Sequence, residues 1–245
     1  MTSEQAIILD TETHALDGLV IQLAHAPLKF IPHDDKFEPV INSAKIFNEL
    51  YSIGDNRIDH AAMAVHNIID SDIANKADCS AIQLPISEGY IIGHNIDYDV
   101  KAIERSTNTK IELKRICTLA LARMAFPELK SHKLTALIYH IYGPTDFARI
   151  LVLNSHDAAT DIRNTAHLLC AICAHLRIYN IEDLYQASLK ARIPKIMTFG
   201  KHQGLPIDQV PRPYMKWYLQ TENADPYLCE AFNQVLNPQS PQNVN

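Results

Sequence analysis

The chain has 245 residues, with 22 Lys and Arg against 28 Asp and Glu, and 47% of its residues are hydrophobic. This composition excludes a disordered or collagen-like chain, and the net charge of -6 argues against a protein that coats nucleic acid through its overall charge. Seven Gly argue against glycine-rich phosphate loops, and five Cys argue against a secreted disulfide framework.

The first half of the chain contains short runs that are apolar or that alternate between apolar and polar residues. These runs predict strands, and polar residues follow at the ends of some of them. The turn signal Asp17-Gly18 lies between the first two runs, which predicts a hairpin. The predicted elements of this half are strands at 6–9, 19–24, 45–51 and 90–93 and a helix at 59–65.

The second half of the chain predicts mostly helices. Two of the apolar-periodic stretches stop at Pro127 and at Gly143-Pro144, residues that end helices. The predicted helices cover 118–126, 133–142 and 158–176. Strands early and helices late predict an α/β or α+β protein, a sheet with helical cover, of which α/β is the class we expect.

Two domains are expected from the change of character along the chain. The predicted boundaries are a large domain at 1–180, a basic linker containing Pro at 181–194, and a small α/β or helical module at 195–245. The small module contains the only Trp of the chain, Trp217.

Carboxylates follow three of the predicted elements: Asp10 with Glu12, Asp99, and Asp161. Each cluster alone is typical of a turn or a helix cap. Residues two apart in a strand point to the same side, so Asp10 and Glu12 can converge on one metal ion. Four carboxylates around one point repel each other by several kcal/mol unless divalent cations lie between them, and hard oxygen ligands predict magnesium or manganese.

His156 precedes Asp161 by five residues, which is a poor spacing for one face of a helix. Its neighbours Asn154 and Ser155 instead indicate a loop just before the helix. From such a loop, His156 and Asp161 can both turn towards one pocket.

The segments Asp10-Thr11-Glu12, 94–99 (HNIDYD) and 156–161 (HDAATD) resemble the three signature motifs of the DEDDh (DnaQ-like) 3'-to-5' exonucleases, which are D-x-E, H-N-x-x-[FY]-D and H-x-A-x-x-D. The resemblance covers residues 6–178. It implies a ribonuclease-H-like fold, a mixed sheet flanked by helices, and hydrolysis of phosphodiester bonds from the 3' end with two divalent cations, Mg²⁺ or Mn²⁺.

The resemblance also implies a role for each motif residue. Asp10, Glu12 and Asp161 hold the first metal, Asp10 bridges to the second, Asp99 acts largely through water, and His156 is the general base. The implied substrate contacts are Thr11 through its backbone, Glu12 on the 3'-hydroxyl, and Thr13, His66, His94, Asn95 and Tyr98. His66 and His94 also have a purely structural interpretation.

One residue departs from the family pattern. Gln22 stands in the second strand where many members carry Glu. Gln22 can still form hydrogen bonds and is not one of the four acids, so we expect activity to survive.

The segments 198–204 and 213–219 resemble the small module that follows the nuclease domain in exonuclease X-like proteins. Two interpretations stay open. Trp217 and Phe199 form the core of a structural cap, or the module is a nucleic-acid clamp that uses Lys195, Lys201, His202 and Lys216 on phosphates, with an aromatic side chain for stacking.

Two basic windows lie within the acidic chain. Residues 110–133 contain six Lys and Arg against two acids, and residues 190–216 contain six against one. Phosphate contacts are therefore expected in these windows. The pair Cys170 and Cys173 has metal-ligand spacing, but it lies in an apolar helix and is expected to pack in the core.

The leading hypothesis is a metal-dependent 3'-to-5' exodeoxyribonuclease that acts on nucleic acid with a free 3' end, DNA being favoured over RNA. The alternatives are an exoribonuclease with the same chemistry, a polymerase proofreading subunit and a non-catalytic nucleic-acid-binding module. No apolar run approaches the roughly 18 residues of a membrane span, so we expect no membrane partner and a cytoplasmic location, with a homodimer allowed.

Overall fold

The computed structural model describes residues 5–33, 36–197, 199–222 and 224–237. Its backbone contacts separate the chain into two compact units, a first unit, Met1–Ser188, and a second unit, Leu189–Asn245. The boundary falls inside the segment predicted to be a linker, 181–194, most of which is helical.

Six strands of the described residues form one mixed sheet in the first unit. They are β1 (Ala6–Thr13), β2 (Val20–His33), β3 (Lys36–Ile41), β4 (Phe47–Leu50), β5 (Tyr90–Gly93) and β6 (Lys114–Cys117). The order is β3-β2-β1-β5-β6, and β4 also pairs with β2. The pairs β1-β2, β2-β3 and β2-β4 are antiparallel, whereas β1-β5 and β5-β6 are parallel.

Helices follow the strands and cover the sheet. Those of the first unit are α1 (His60–His66), α2 (Asp70–Ile73), α3 (Ile96–Thr107), α4 (Thr118–Ala125), α5 (Leu134–Tyr142), α6 (Asp146–Val152) and α7 (Ala158–Leu176), and α8 (Ile181–Arg192) crosses the unit boundary. In the described part of the chain, no helix combines the length and apolar character needed to cross a membrane.

Helices α7 and α3 contact opposite faces of β1. Ile8 packs with Ala158 and Ile162 of α7 in a buried cluster that contains several Ala, and these small side chains let helix and sheet approach closely. Thr11 points to the other face and contacts Asp99 of α3. Because side chains alternate along a strand, Asp10 and Glu12 share the α7 face with Ile8.

The register of β1 explains why its carboxyl end carries the site. Pairing with β5 ends at Ile8 opposite Ile92, whereas pairing with β2 continues to Thr13. Beyond Ile8, β1 is therefore flanked by β2 alone, and its polar residues meet the start of α3.

The second unit has its own core. The described residues of the segment 195–207 form a loop, called the loop 195–207, that is closed by an antiparallel bridge between Ile196 and Pro206. Helices α9 (Arg212–Tyr218) and α10 (Pro226–Leu236) follow. The buried core residues are Met197, Ile207, Val210, Met215, Tyr218, Leu228, Ala231 and Phe232. Phe199 and Trp217 are 44% and 59% exposed, so the interpretation that they form the core is wrong.

The predicted helices, including the one at 59–65, and the strand at 90–93 match the structure closely, whereas the ends of the other predicted strands differ. The predicted hairpin is confirmed, although β1 and β2 continue to Thr13 and His33, beyond the predicted ends at 9 and 24. The helices at 118–126, 133–142 and 158–176 are confirmed to within a residue or two. The predicted strand at 45–51 is confirmed as the shorter strand β4, because a 3-10 turn at Ser43–Lys45 occupies its start. Strands β3 and β6 and helices α2 and α6 were not predicted, because they are short and carry charged residues or Pro.

Candidate active site

The end of β1 and the first turn of α3 are joined through Asp99. Helix α3 begins after Asn95, which has a left-handed backbone (φ 78). The Asp99 carboxylate is buried, and its Oδ1 accepts the Thr11 backbone N–H at 3.0 Å and the Thr11 hydroxyl at 2.7 Å. Burial raises the pKa of Asp99 to about 7, although the two bonds from Thr11 oppose the shift.

Asp10 and Glu12 face the same cluster from the α7 side of β1. Burial raises the pKa of Asp10 well above its ordinary value, and the nearby carboxylates of Asp99, Asp161 and Glu12 raise it further. Burial raises the pKa of Glu12 to about 8, with Asp161 and Asp99 adding to the shift. These carboxylates therefore lie close enough to repel one another.

The loop before α7 brings His156 and Asp161 together. His156 has a left-handed backbone (φ 69) and an exposed side chain, and its N–H donates to Asp161 Oδ2 at 3.1 Å. Asp157 caps α7 by accepting the Thr160 N–H. The prediction that His156 lies in the loop preceding the helix is thus confirmed.

A cavity of about 710 Å³ unites these groups within the first unit. Its lining contains both the acids and three cations. The lining includes Asp10, Thr11, Glu12, Asp99, Asp161, His156, His94, Asn95, Tyr98, Arg123, Lys130 and Lys133. A negative centre with a positive rim suits a phosphodiester that is attacked at the centre and held along its backbone.

The acids fit a divalent cation. Ligand atoms of Glu12, His156 and Asp161 lie within 4.8 Å of one another. Asp161 Oδ1 is buried without a hydrogen-bond partner in the described structure, which is costly unless a ligand contacts it. Carboxylate oxygens are the ligands of Mg²⁺ and Mn²⁺, and a cation there also relieves the mutual repulsion.

Among the predicted substrate contacts, Thr13, Tyr98 and Asn95 form one group. The Tyr98 hydroxyl lies 2.6 Å from Thr13 Oγ1, which itself donates to the Ala15 carbonyl, so Tyr98 is the donor between them. Thr13 therefore holds the Tyr98 ring at the cavity wall, and exposed Asn95 lines the same wall. The N–H and the hydroxyl of Thr11 both donate to Asp99.

His94 lines the cavity with both ring nitrogens bonded to protein. Nε2 lies 3.0 Å from the His132 carbonyl, which can only accept, so Nε2 carries the proton and Nδ1 faces the Thr118 hydroxyl at 3.1 Å. Burial lowers the pKa of His94 to about 4, so the ring is neutral at physiological pH. His94 thus anchors the segment that carries Lys130 and Lys133.

His66 is buried and lies outside the described lining of the cavity. Its Nδ1 accepts the Ile68 N–H at 3.0 Å, and burial lowers the pKa of His66. The ring lies near His156, which lowers that pKa further.

The predicted basic windows differ in what their cations do. In 110–133, Arg123, Lys130 and Lys133 line the cavity, whereas Lys114 pairs with Glu182 and Arg115 with Glu104. In the second unit, Lys195, Lys201 and Lys216 are exposed and His202 is half-buried. Cys170 and Cys173 lie in α7 as free thiols, partly and fully buried, as expected for core packing.

Sequence reasoning missed the structural partner of Gln22. The buried Gln22 amide donates to Asp157 Oδ1 at 2.9 Å and to Asn48 Oδ1 at 3.0 Å, and its Oε1 accepts the Ala158 N–H at 3.3 Å. Gln22 therefore ties β2 to the start of α7, beside His156. The only signal in the sequence was the amide itself, because nothing local relates position 22 to Asp157.

The chain is similar to known proteins in sequence and in fold. The exonuclease family model RNase_T matches residues 7–169. A structure of Exonuclease X in complex with 5' overhanging duplex DNA superposes with a TM-score of 0.54 at 26% identity, covering 75% of this chain and 99% of that one. Brucella melitensis NrnC bound to pGG gives 0.41 at 13% identity, over 78% and 81% of the two chains.

A curated relative is the DNA polymerase III PolC-type of Lacticaseibacillus paracasei, 28% identical over 182 residues, which are 70% of this chain. The chain spans only 11% of that protein's length. The predicted ribonuclease-H-like fold and the predicted family are confirmed. With its sheet, its acidic edge and its matched segment taken together, the chain belongs to the RNase_T (DnaQ-like) exonuclease family.

Proposed function

We propose that the chain is a metal-dependent 3'-to-5' exodeoxyribonuclease. The observation that carries the proposal is the convergence of four acids and His156 in one cavity with a cationic rim, in a chain of an exonuclease family. The acids are Asp10, Glu12, Asp99 and Asp161.

Two divalent cations, Mg²⁺ or Mn²⁺, are proposed as cofactors held by these acids. Asp10, Glu12 and Asp161 would hold one, and Asp10 and Asp99 would serve the second. When bound, the cations would stabilise the negative charge that develops on the attacking and leaving oxygens of the displacement. The raised pKa values of Asp10 and Glu12 support this assignment, because a cation replaces the protons that the crowded acids otherwise retain.

His156 is proposed as the general base. Its ring is exposed at the cavity while its backbone N–H is held by Asp161, so the imidazole can reach a water from a fixed loop. Histidine accepts protons in the neutral pH range, which suits removal of a proton from the attacking water and its release to solvent.

The substrate strand is proposed to contact the cationic rim. Arg123, Lys130 and Lys133 would bind the phosphates that precede the 3' end, since Arg and Lys pair with phosphate by charge-assisted hydrogen bonds. Tyr98 and Asn95, which also line the cavity, would contact the terminal nucleotide. Thr11 would contact it less directly than expected, because both of its donors already bind Asp99.

DNA is proposed as the substrate because the Exonuclease X structure is a complex with 5' overhanging duplex DNA. The motif residues contact the phosphodiester rather than the sugar, so RNA is the competing substrate. The two candidates predict opposite ratios of digestion rates on matched DNA and RNA strands.

The test is digestion of 5'-labelled DNA and RNA oligonucleotides of one sequence with Mg²⁺, resolved by length. We expect stepwise shortening from the 3' end, faster on DNA, that is abolished by EDTA. Asp161→Asn and His156→Asn should each reduce the rate by at least about 100-fold. The matched control Asp146→Asn, at an exposed acid on α6, should retain the wild-type rate. Shortening from the 5' end, or unaltered rates in both site variants, would refute the mechanism.

A further inference from the structure

The second unit presents a row of aromatic rings on its surface. The His202 and Tyr214 ring centroids are 4.6 Å apart, and those of Tyr214 and Trp217 are 5.3 Å apart. His202 comes from the loop 195–207, and the other two rings come from α9. These three residues are called the aromatic row below.

Trp217 is exposed although a small domain ordinarily buries its largest aromatic side chain. The unit's core is closed instead by Met215, Tyr218 and Phe232, while 59% of Trp217 remains accessible. Its ring therefore adds little apolar burial to the fold, since a buried Trp side chain would remove a large area from water. An exposed flat ring at the end of a packed row is instead available to stack on a ligand.

Two lysines are adjacent in the sequence to residues of the aromatic row. Lys201 precedes His202, and Lys216 precedes Trp217. Both lysines are exposed, and within the residues that the structure describes neither has an ion-pair partner. The window 190–216 holds six Lys and Arg and one acid, Asp208, in a chain whose net charge is -6. The local charge is thus opposite to that of the whole protein and complementary to a polyanion.

We propose that the second unit binds single-stranded DNA, with unpaired bases stacking on Trp217 and phosphates contacting Lys201 and Lys216. Alternating rings and phosphate-binding cations are what a single strand requires, because its bases are free to stack, whereas a duplex hides its base faces. The choice of DNA rests on the proposed exonuclease function. Binding would let the enzyme retain a strand between cleavage steps.

Trp217 is the only Trp of the chain, so fluorescence excited at wavelengths that Tyr does not absorb reports on this surface alone. The experiment uses the full chain carrying Asp161→Asn, to prevent digestion, titrated with an oligothymidylate of about 16 nucleotides. Stacking should quench the Trp217 emission saturably. A duplex of the same length should quench it far less. Equal quenching by duplex, or oligonucleotide binding with unchanged emission, would overturn the proposal.

Variants on the same background separate stacking from charge, with labelled oligonucleotide anisotropy as the readout. Trp217→Ala should weaken binding by about 5- to 100-fold, and Trp217→Phe, which can still stack, by much less. The control Tyr179→Ala removes an aromatic ring that is 53% exposed in the first unit and should change nothing. Lys201→Gln with Lys216→Gln should lower the salt dependence of binding by about 1.4 in log-log slope, whereas Lys45→Gln with Lys76→Gln should not.

The outcomes are distinguishable from those that test the exonuclease. If the enzyme is active but its Trp217 emission does not change with the oligonucleotide, the proposed function stands and this inference is contradicted. Saturable quenching in a protein without nuclease activity supports this inference and contradicts the proposed exonuclease function. If Trp217→Ala fails to fold, as judged by circular dichroism, the lysine pair and Trp217→Phe still decide the matter, because an unchanged salt slope contradicts the phosphate contacts.

Discussion

Replacing Gln22 with Glu restores the residue that many relatives carry, and in this chain it should be destabilising. The amide Nε2 of Gln22 donates to Asp157 Oδ1 at 2.9 Å and to Asn48 Oδ1 at 3.0 Å. In the Gln22→Glu variant, a carboxylate oxygen would face these two acceptors. One of them belongs to the Asp157 carboxylate, whose other oxygen caps α7 by accepting the N–H and the hydroxyl of Thr160.

The loss of stability in Gln22→Glu depends on whether the introduced carboxyl group is charged or protonated in the folded protein. Two charged carboxylates about 3 Å apart repel by about 5 kcal/mol at an effective dielectric constant of 20. The alternative is to protonate the introduced glutamate, which costs about 4 kcal/mol at pH 7 for an acid whose ordinary pKa is about 4.3. The cheaper route limits the penalty, and the protonated carboxyl group restores one of the two donated bonds. We therefore expect the free energy of unfolding to fall by about 3 to 5 kcal/mol.

The assay is urea unfolding of Gln22→Glu, of Asp157→Asn and of the double variant, with Gln83→Glu as an exposed matched control. In the double variant the amide introduced at position 157 can donate to the carboxylate introduced at position 22, so we expect at least about half of the loss to be recovered. The deficit of Gln22→Glu should also shrink by about 1.4 kcal/mol for each pH unit below 7, because the introduced carboxylate becomes easier to protonate. A loss below about 0.5 kcal/mol, or no recovery in the double variant, would refute the reasoning.

Three further outcomes follow from the site. In EDTA, the melting temperature should fall as the pH rises from about 6 to about 8. The pKa of Glu12 is raised to about 8 and that of Asp99 to about 7, so the folded protein retains protons that the unfolded chain releases. Mn²⁺ should flatten this dependence of melting temperature on pH, and a flat dependence in EDTA would contradict the repulsion between the acids. Thr11→Val, which removes the hydroxyl that binds Asp99, should destabilise the protein by about 1 to 2 kcal/mol and slow digestion, whereas Thr11→Ser should do neither. His94→Ala should cost about 2 to 4 kcal/mol in urea unfolding, because it removes the ring from a largely buried site together with its hydrogen bonds to the His132 carbonyl and the Thr118 hydroxyl. A cost only in activity would instead favour direct substrate contact.

The sequence by itself determined the longest helix and the composition of the site. Helix α7 was predictable because it is long and strongly periodic, and His156 was placed in its preceding loop by local residues alone. Asp10 and Glu12 could be assigned to one side of a strand because alternation along a strand is a local property. The three motifs then identified the family without any knowledge of distances.

Only the tertiary structure decided which polar groups are already satisfied and which are free. Strands β3 and β6 exist because neighbouring strands pair with them, not because their own residues favour a strand. The partners of Gln22 and His94 lie far away in the sequence, at Asp157 and His132. Likewise, α9 periodicity could not say that Met215 is buried while Trp217 stays exposed, because burial depends on what α10 and the loop 195–207 bring against that helix.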